Sequence, residues 1–325
     1  MPLCRRPFAG LLLALAAFVA LAPVARAQSW PARPVRLVVT FPPGGANDII
    51  ARLLGQALSE RLGQPFIIDN RVGGSGNLGA GEVVRSAPDG YTLLQATVAN
   101  ATNPSMFENM SFNFARDIAP VGGVYRVPLV VVASPTLKAR NFPELLALLK
   151  ASPGKLNYGT GGIGSLAHIA GELFKMMTGT EMTHVPYRGS PPALVDLLNS
   201  RLDILFDPLP TSIEHIRSGA LRPIAMTSAA RSPALPDVPA LGEFLPGYEA
   251  SVWVGITAPR ATPPDIVAKL SGEIKAVLAD PGFREKLTAM GAATWPTTPA
   301  ELGEHVEAET AKWTKVIKTA GIKAE

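Results

Sequence analysis

Two glycine-rich corners hold the residues best suited to chemistry. The first is Phe41-Pro42-Pro43-Gly44-Gly45, with Asn47 and Asp48 directly after it. The second is Gly159-Thr160-Gly161, continued by Gly164-Ser165 and His168. Each follows an apolar run and precedes a helical pattern. A strand that turns through glycines into a helix aims backbone N–H groups beyond the strand end. The helix N-terminus adds unpaired donors and the positive end of its dipole. Such a corner suits an anion, and two corners facing each other could pinch a carboxylate through N–H groups and hydroxyls without an arginine.

Other chemistries find less support. Gly159-x-Gly161-x-x-Gly164 and Gly74-x-Gly76-x-x-Gly79 match dinucleotide-fingerprint spacing. Glu181, however, would begin a strand, where the fingerprint wants an acid at a strand end. The expectation for Gly74 and Gly76 is a tight surface loop. There is no G-x-S-x-G elbow. Ser165 is read as a helix cap or ligand donor, with an exported Ser165/His168 hydrolase as an alternative. The four histidines, His168, His184, His215 and His305, lack metal-ligand spacing, and no metal or cofactor is expected. His184, His215 and His305 are expected to be structural. Asp48 reads as a carboxylate tying down its loop, with direct contact to a ligand amine or hydroxyl as the alternative, and Asp207 as an acid at a strand end beside the cleft that orients loops or ligand. Arg188 stands between solvation and a carboxylate contact.

The elements that must position these corners alternate. Strands are expected at 35–41, 66–70, 91–96, 129–133, 156–159, 182–186, 204–206, 223–227 and 252–258. Helices are expected at 47–62, 78–86, 142–151, 165–178, 191–200, 264–279, 282–290 and 299–320. On the first, Ile49, Ile50, Leu53, Leu54, Ala57 and Leu58 share one face. On the helix at 165–178, Ile169, Leu173, Phe174 and Met177 point inward. Alternation of this kind implies βαβ units, an α/β fold and mostly parallel sheets. Two long extended segments, 119–134 and 248–259, read as crossings between two domains. The first domain would comprise 28–126 and 250–325, the second 127–249, with the C-terminal helices returning to the first.

Residues 1–27 read as a cleavable signal peptide. Arg5 and Arg6 precede an apolar stretch at 8–21, and Ala25-Arg26-Ala27 is a small-x-small site. About 14 apolar residues are too few to span a bilayer. Arg5-Arg6-Pro7-Phe8 resembles a twin-arginine signal, leaving the export route open. Three arginines of the chain's 30 basic residues lie in this segment and none of its 26 acids. The remaining 298 residues carry a net charge of +1. No basic patch for nucleic acid is implied. The single cysteine, Cys4, leaves with the signal, so the exported protein rests on its core.

Six motifs in one order carry a family resemblance. They are F-P-P-G-G-x-x-D-x-x-A-R at 41–52, D-N-R-V-G-G at 69–74, P-D-G-Y-T-L at 88–93, Y-G-x-x-G-x-G-S-x-x-H at 158–168, V-P-Y-R-G at 185–189 and D-I-L-F-D at 203–207. Together they resemble the solute-binding proteins of tripartite tricarboxylate transporters, the Bordetella uptake gene type of periplasmic receptor. The resemblance implies a type II periplasmic-binding-protein fold, two α/β domains around a hinge. It implies capture of a carboxylated solute, a mono-, di- or tricarboxylate or an amino acid. Delivery would be to one large and one small integral membrane subunit, by a receptor expected to be a monomer. A sensory receptor passing its closed form to a signalling protein is the alternative. Ligand contacts implied by motif matching are Phe41, Pro42, Gly44, Gly45, Asn47 and Asp48, then Ala96 and Thr97. On the second domain they are Gly159, Thr160, Gly161, Gly164, Ser165 and His168, with Tyr187, Gly189 and Asp207 nearby. Asn47 stands at a variable position of the family and is expected to tune the ligand.

Overall fold

The strand expected at 35–41 forms β1, Val35–Val39, in a computed structural model that describes residues 30–44, 46–107 and 110–323. The first 29 residues, with the signal peptide and Cys4, lie outside the described residues, as do Gly45, Glu108, Asn109 and the last two residues. The chain divides into an N-terminal unit, Met1–Ala32, and a main unit, Arg33–Glu325, to which all elements belong. After β1 come α1 (Ala46–Leu62), β2 (Phe66–Asn70), α2 (Asn77–Val84), β3 (Thr92–Thr97), α3 (Val98–Met106), α4 (Phe114–Asp117) and β4 (Ile118–Ala133). Next are α5 (Phe142–Ala151), β5 (Asn157–Thr160), α6 (Leu166–Thr178), β6 (Thr183–Pro186), α7 (Ser190–Leu198), β7 (Ile204–Pro208), α8 (Leu209–Arg217) and β8 (Arg222–Met226). The chain finishes with β9 (Ser251–Pro259), α9 (Pro264–Ala279), α10 (Pro281–Ala289), β10 (Ala293–Thr294) and α11 (Pro299–Ala320).

β1 has no polar alternation because both its faces are covered. Val35, Leu37, Val38 and Val39 are all buried, and α1 and α2 both contact the strand. Each fully buried aliphatic side chain contributes about 1.5–3 kcal/mol over an exposed one. β1 pairs in parallel with β2 and β3, and Val39 stands opposite both Asn70 and Gln95. That register brings three strand ends to one edge, so the loops after β1, β2 and β3 emerge together. The second run repeats the arrangement. β5 lies between β6 and β7, parallel to both, with Thr160 opposite Pro186 and Gly159 opposite Leu205.

β4 and β9 join the two runs. From Ile118 to Pro128, β4 pairs antiparallel with β9, which in turn pairs antiparallel with β3. From Leu129 to Ala133, β4 exchanges that partner for β7 and β8, again antiparallel. The mostly parallel sheet expected from sequence is therefore parallel only within each run. The pairs formed by the crossing strands are antiparallel, because these strands pass between the runs instead of returning over a helix. Thr227 ties the exchange point together. Its N–H donates to Leu129 O and its carbonyl accepts from Ala250 N. Its hydroxyl accepts from Leu129 N at 3.0 Å and donates to Ala250 O at 2.6 Å.

Elements α3, α4, α8 and β10 have no counterpart among the expected elements. Asn100, Thr102, Asn103 and Pro104 give α3 weak helical preference, yet the first three are buried, so tertiary burial against α11 fixes the helix. Pro208 and Pro210 hide α8, although Pro in a first turn is compatible with a helix. Ile49 and Met177, assigned to inward faces, are exposed. α11 packs on α3, β4 and α6. Among the described residues, no helix is long and apolar enough to cross a membrane.

Thr227→Val keeps the shape but leaves Leu129 N–H and Ala250 C=O without their side-chain partner. The expected cost is about 1–3 kcal/mol in urea unfolding, with Thr227→Ser losing less. A wild-type midpoint for the valine variant would show that the hydroxyl contributes nothing at the crossing.

Candidate ligand-binding site

The loops leaving the two runs enclose a cleft of about 480 Å³. On the first side its wall holds Thr40, Phe41, Pro42 and Asn47 from the corner after β1. Val72, Gly73, Ser75 and Gly76 come from the loop after β2, and Thr97, Val98, Ala99, Thr102 and Asn103 from β3 and α3. On the second side are Gly161, Gly162, Ile163, Gly164, Ser165, Leu166 and Ala167, then Gly189, Ser190 and Pro208. Leu129 and Val252, from the crossing strands, complete the wall. The first turns or N-caps of α1, α2, α3, α6, α7 and α8 thus all contribute to it. No Lys, Arg, His, Asp or Glu is among these wall residues. The cleft offers helix N-termini, hydroxyls, amides and apolar surface.

Of the residues marked by sequence, Phe41, Pro42, Asn47, Thr97, Gly161, Gly164, Ser165 and Gly189 lie in the wall. Gly44, Asp48, Ala96, Gly159, Thr160, His168, Tyr187 and Asp207 do not, and Gly45 lies outside the described residues. Most of these hold up the wall from behind. Asp48 is buried and accepts from Gly44 N at 2.9 Å, Asn70 Nδ2 at 3.0 Å and Arg52 at 2.8 and 3.0 Å. Ala96 sits in the core between neighbouring strands. Gly159 lies against Leu202, with no room for a Cβ. Thr160 Oγ1 meets His184 Nε2 at 2.7 Å. The Tyr187 hydroxyl donates to Asp196 on α7 at 2.9 Å, and Arg188 is exposed.

Asp207 is fully buried and holds the first turn of α8 by accepting from Thr211 and Ser212. Burial pushes its carboxyl up, against hydroxyls of Ser190, Ser212 and Thr211 that favour the anion. Ser165 caps α6: its oxygen accepts from His168 N and its hydroxyl donates to Gly162 O at 2.7 Å. His168 Nδ1 accepts from Gly164 N at 3.1 Å. The imidazole is thus engaged with the loop backbone, not with the serine hydroxyl.

The wall also contains residues that sequence reading passed over. The 73–76 loop is not a plain surface turn: Gly76 is buried, caps α2 with φ of 90°, and lines the cleft. A Cβ there would stand 3.1 Å from Thr40 Oγ1, so glycine joins the two loops. The glycine spacing at 74–79 was its signal. Thr102 and Asn103 had none, because α3 itself is not legible. Gly164, with φ of 72°, abuts Met106 of α3 across the cleft.

A family model described as "Tripartite tricarboxylate transporter family receptor" matches residues 50–322. The chain belongs to this receptor family. Protein BugT of Bordetella pertussis is 37% identical over 319 residues, covering 96% of this chain and 98% of that protein. An R. palustris protein solved with adipate superposes with a TM-score of 0.81 at 41% identity, covering 90% of this chain and 99% of the other. MatC from Rhodopseudomonas palustris, with bound malate, gives 0.76 at 30% identity, covering 89% and 100%. The receptor has the two-domain periplasmic-binding fold of type II, and receptors of this family are periplasmic.

Two charge arrangements in the receptor respond to pH. Arg52 beside Asp48 holds its carboxyl down at about 2, helped by Gly44 N–H and Asn70 against the effect of burial. Behind the second corner, His168 and His184 stack with centroids 3.8 Å apart and planes 9° apart. Burial lowers both, and the neighbouring His168 helps push His184 to about 4. The stack continues to Tyr158, whose hydroxyl donates to Glu172 at 2.6 Å.

Asp48→Ala in the receptor should cost about 2 kcal/mol at pH 7 by urea unfolding. The Asp48 contribution is complete above the ordinary carboxylate range near pH 4 and falls away as pH drops toward 2. An equal loss for the variant at pH 7 and pH 2 would contradict it. The histidine pair acts over a higher window. Burial disfavours the charged form of both rings, so stability falls as pH drops below the ordinary imidazole value of about 6.5, and the His184 part of that decline is complete below about pH 4. In His184→Phe that decline should shrink; a melting temperature with unchanged pH dependence would exclude the pair as its source.

Proposed function

We propose that this receptor binds a small carboxylate between its two lobes and hands it to a tripartite membrane transporter. The observation that carries the reading is the union of six helix N-terminal ends with a wall free of charged side chains. Each such end carries roughly half a positive charge, and contacts of this kind contribute about 0.3–2 kcal/mol apiece. Several of them in a closed cleft stabilise an anion whose charge is modest and whose body is apolar. The adipate and malate bound to structural relatives support the same ligand class.

In this reading residues 28–126 and 250–325 form one lobe and 127–249 the other, and the partner change of β4 at Pro128 and Leu129 is the hinge. Wall residues Phe41, Pro42, Asn47, Thr97, Gly161, Gly164, Ser165 and Gly189 contact the ligand directly or through water. Gly44, Asp48, Ala96, Gly159, Thr160, His168, Tyr187 and Asp207 then act as support for those contacts. Closure is a population shift driven by ligand contacts made to both lobes. A large and a small integral membrane subunit read the closed monomer. The first 27 residues direct export and are removed.

A thermal-shift screen tests the ligand class. Adipate, malate, citrate, amino acids and aromatic acids are added to protein that has been unfolded and refolded to strip any ligand carried through purification. An acid at 100 times its dissociation constant should add about 2.7 kcal/mol. No shift with any carboxylate would sink the proposal.

A further inference from the structure

Asn47 is held at two points by strands that take no other part in the first corner. Its backbone carbonyl accepts from Gln95 Nε2 on β3 at 3.1 Å. Its side-chain Oδ1 accepts from the hydroxyl of Tyr125 on β4 at 2.5 Å. Tyr125 is buried, and its strand is clamped on both edges, opposite Val254 of β9 and Thr294 of β10. It is not part of the cleft wall, whereas Asn47 is. Burial raises the phenol well above its ordinary range, so the hydroxyl keeps the proton it donates in this contact. A protonated phenol can donate or accept; here it donates to Oδ1, so the oxygen end of the amide faces β4. The NH₂ end of Asn47 is therefore the end turned away from Tyr125. The other amide in the wall is differently committed: Asn103 Nδ2 donates to Ser75 O at 2.9 Å and to Asn77 Oδ1 at 2.8 Å.

We propose that Tyr125 is a positioning residue that fixes the Asn47 amide with its N–H edge toward the bound carboxylate. This rests on the carboxylate reading of the cleft. It adds a residue outside the wall and a direction of action, from the crossing strand through Asn47 to the ligand. Because Tyr125 sits on the strand that passes between both runs, the contact also links ligand recognition to the crossing.

The test is a double-mutant cycle with adipate, read by calorimetry on the purified protein. Asn47→Ala and Tyr125→Phe should each weaken binding by about ten- to hundredfold, the range for a hydrogen bond to a charged group. The double variant should bind no more weakly than Asn47→Ala, since Tyr125 acts only through that amide. Tyr125→Phe binding like wild type, or effects that multiply in the double variant, would overturn the inference. A purely structural role for the phenol gives such multiplication. A second measurement needs no ligand. The Asn47 side-chain NH₂ signals, identified by their loss in Asn47→Ala, should shift in Tyr125→Phe by NMR; unchanged signals also overturn the inference. If wild type binds no carboxylate, the reading of the cleft fails, and the NMR result still decides whether Tyr125 orients Asn47.

Discussion

Six helix N-terminal ends meet one cleft that has no charged side chain in its described wall, and the rest of the molecule follows from that arrangement. Backbone donors cannot be moved by a rotamer change, so the strands behind them must set their positions. The parallel registers of β1 with β2 and β3, and of β5 with β6 and β7, bring the strand ends to common edges. Helices then start from those edges with their donors pointing outward. A site made this way offers neutral donors and no fixed counter-charge, with apolar and hydroxyl surface around them.

The titratable groups that matter stand one layer back. Asp48 binds Gly44, Asn70 and Arg52. Asp207 holds the start of α8, and His168 holds Gly164 N–H. Each shapes a loop whose backbone lines the cleft. Placing them behind the wall keeps titratable side chains out of the cleft lining. The crossing strands add the second requirement, that two such walls face each other. β4 serves both runs by changing partners after Pro128, and Thr227 closes that point with both main-chain and side-chain bonds.

Much of this was legible from local pattern. The corners at 41–48 and 159–168 stood out because glycine, proline and a capping residue between an apolar run and an amphipathic run leave few alternatives. Helices at 142–151, 264–279 and 299–320 have the bounds their periodicity and caps indicate. α3 was not legible: Asn100, Asn103 and Pro104 oppose a helix locally, and only burial against α11 decides for one. With α3 unseen, Thr102 and Asn103 could not be assigned to the wall. The place of Gly76 in the wall is not legible for a related reason, since its left-handed turn matters through Thr40, a neighbour in the corner after β1.

The sequence by itself determined the α/β class, the two glycine-rich strand-to-helix corners and the family, because these rest on residue type and spacing within short segments. Tertiary structure alone decided which marked residues line the cleft and which stand behind it. Asp48 and Asn47 are adjacent in the chain, yet one side chain turns to Arg52 and Asn70 and the other lies in the wall, held by Tyr125. The partners that sort them are 4, 22 and 78 residues away. Helix spacing alone brings Arg52 to Asp48, but only the strand registers and the β4 crossing bring Asn70 and Tyr125 to this corner, and no local spacing encodes those two encounters.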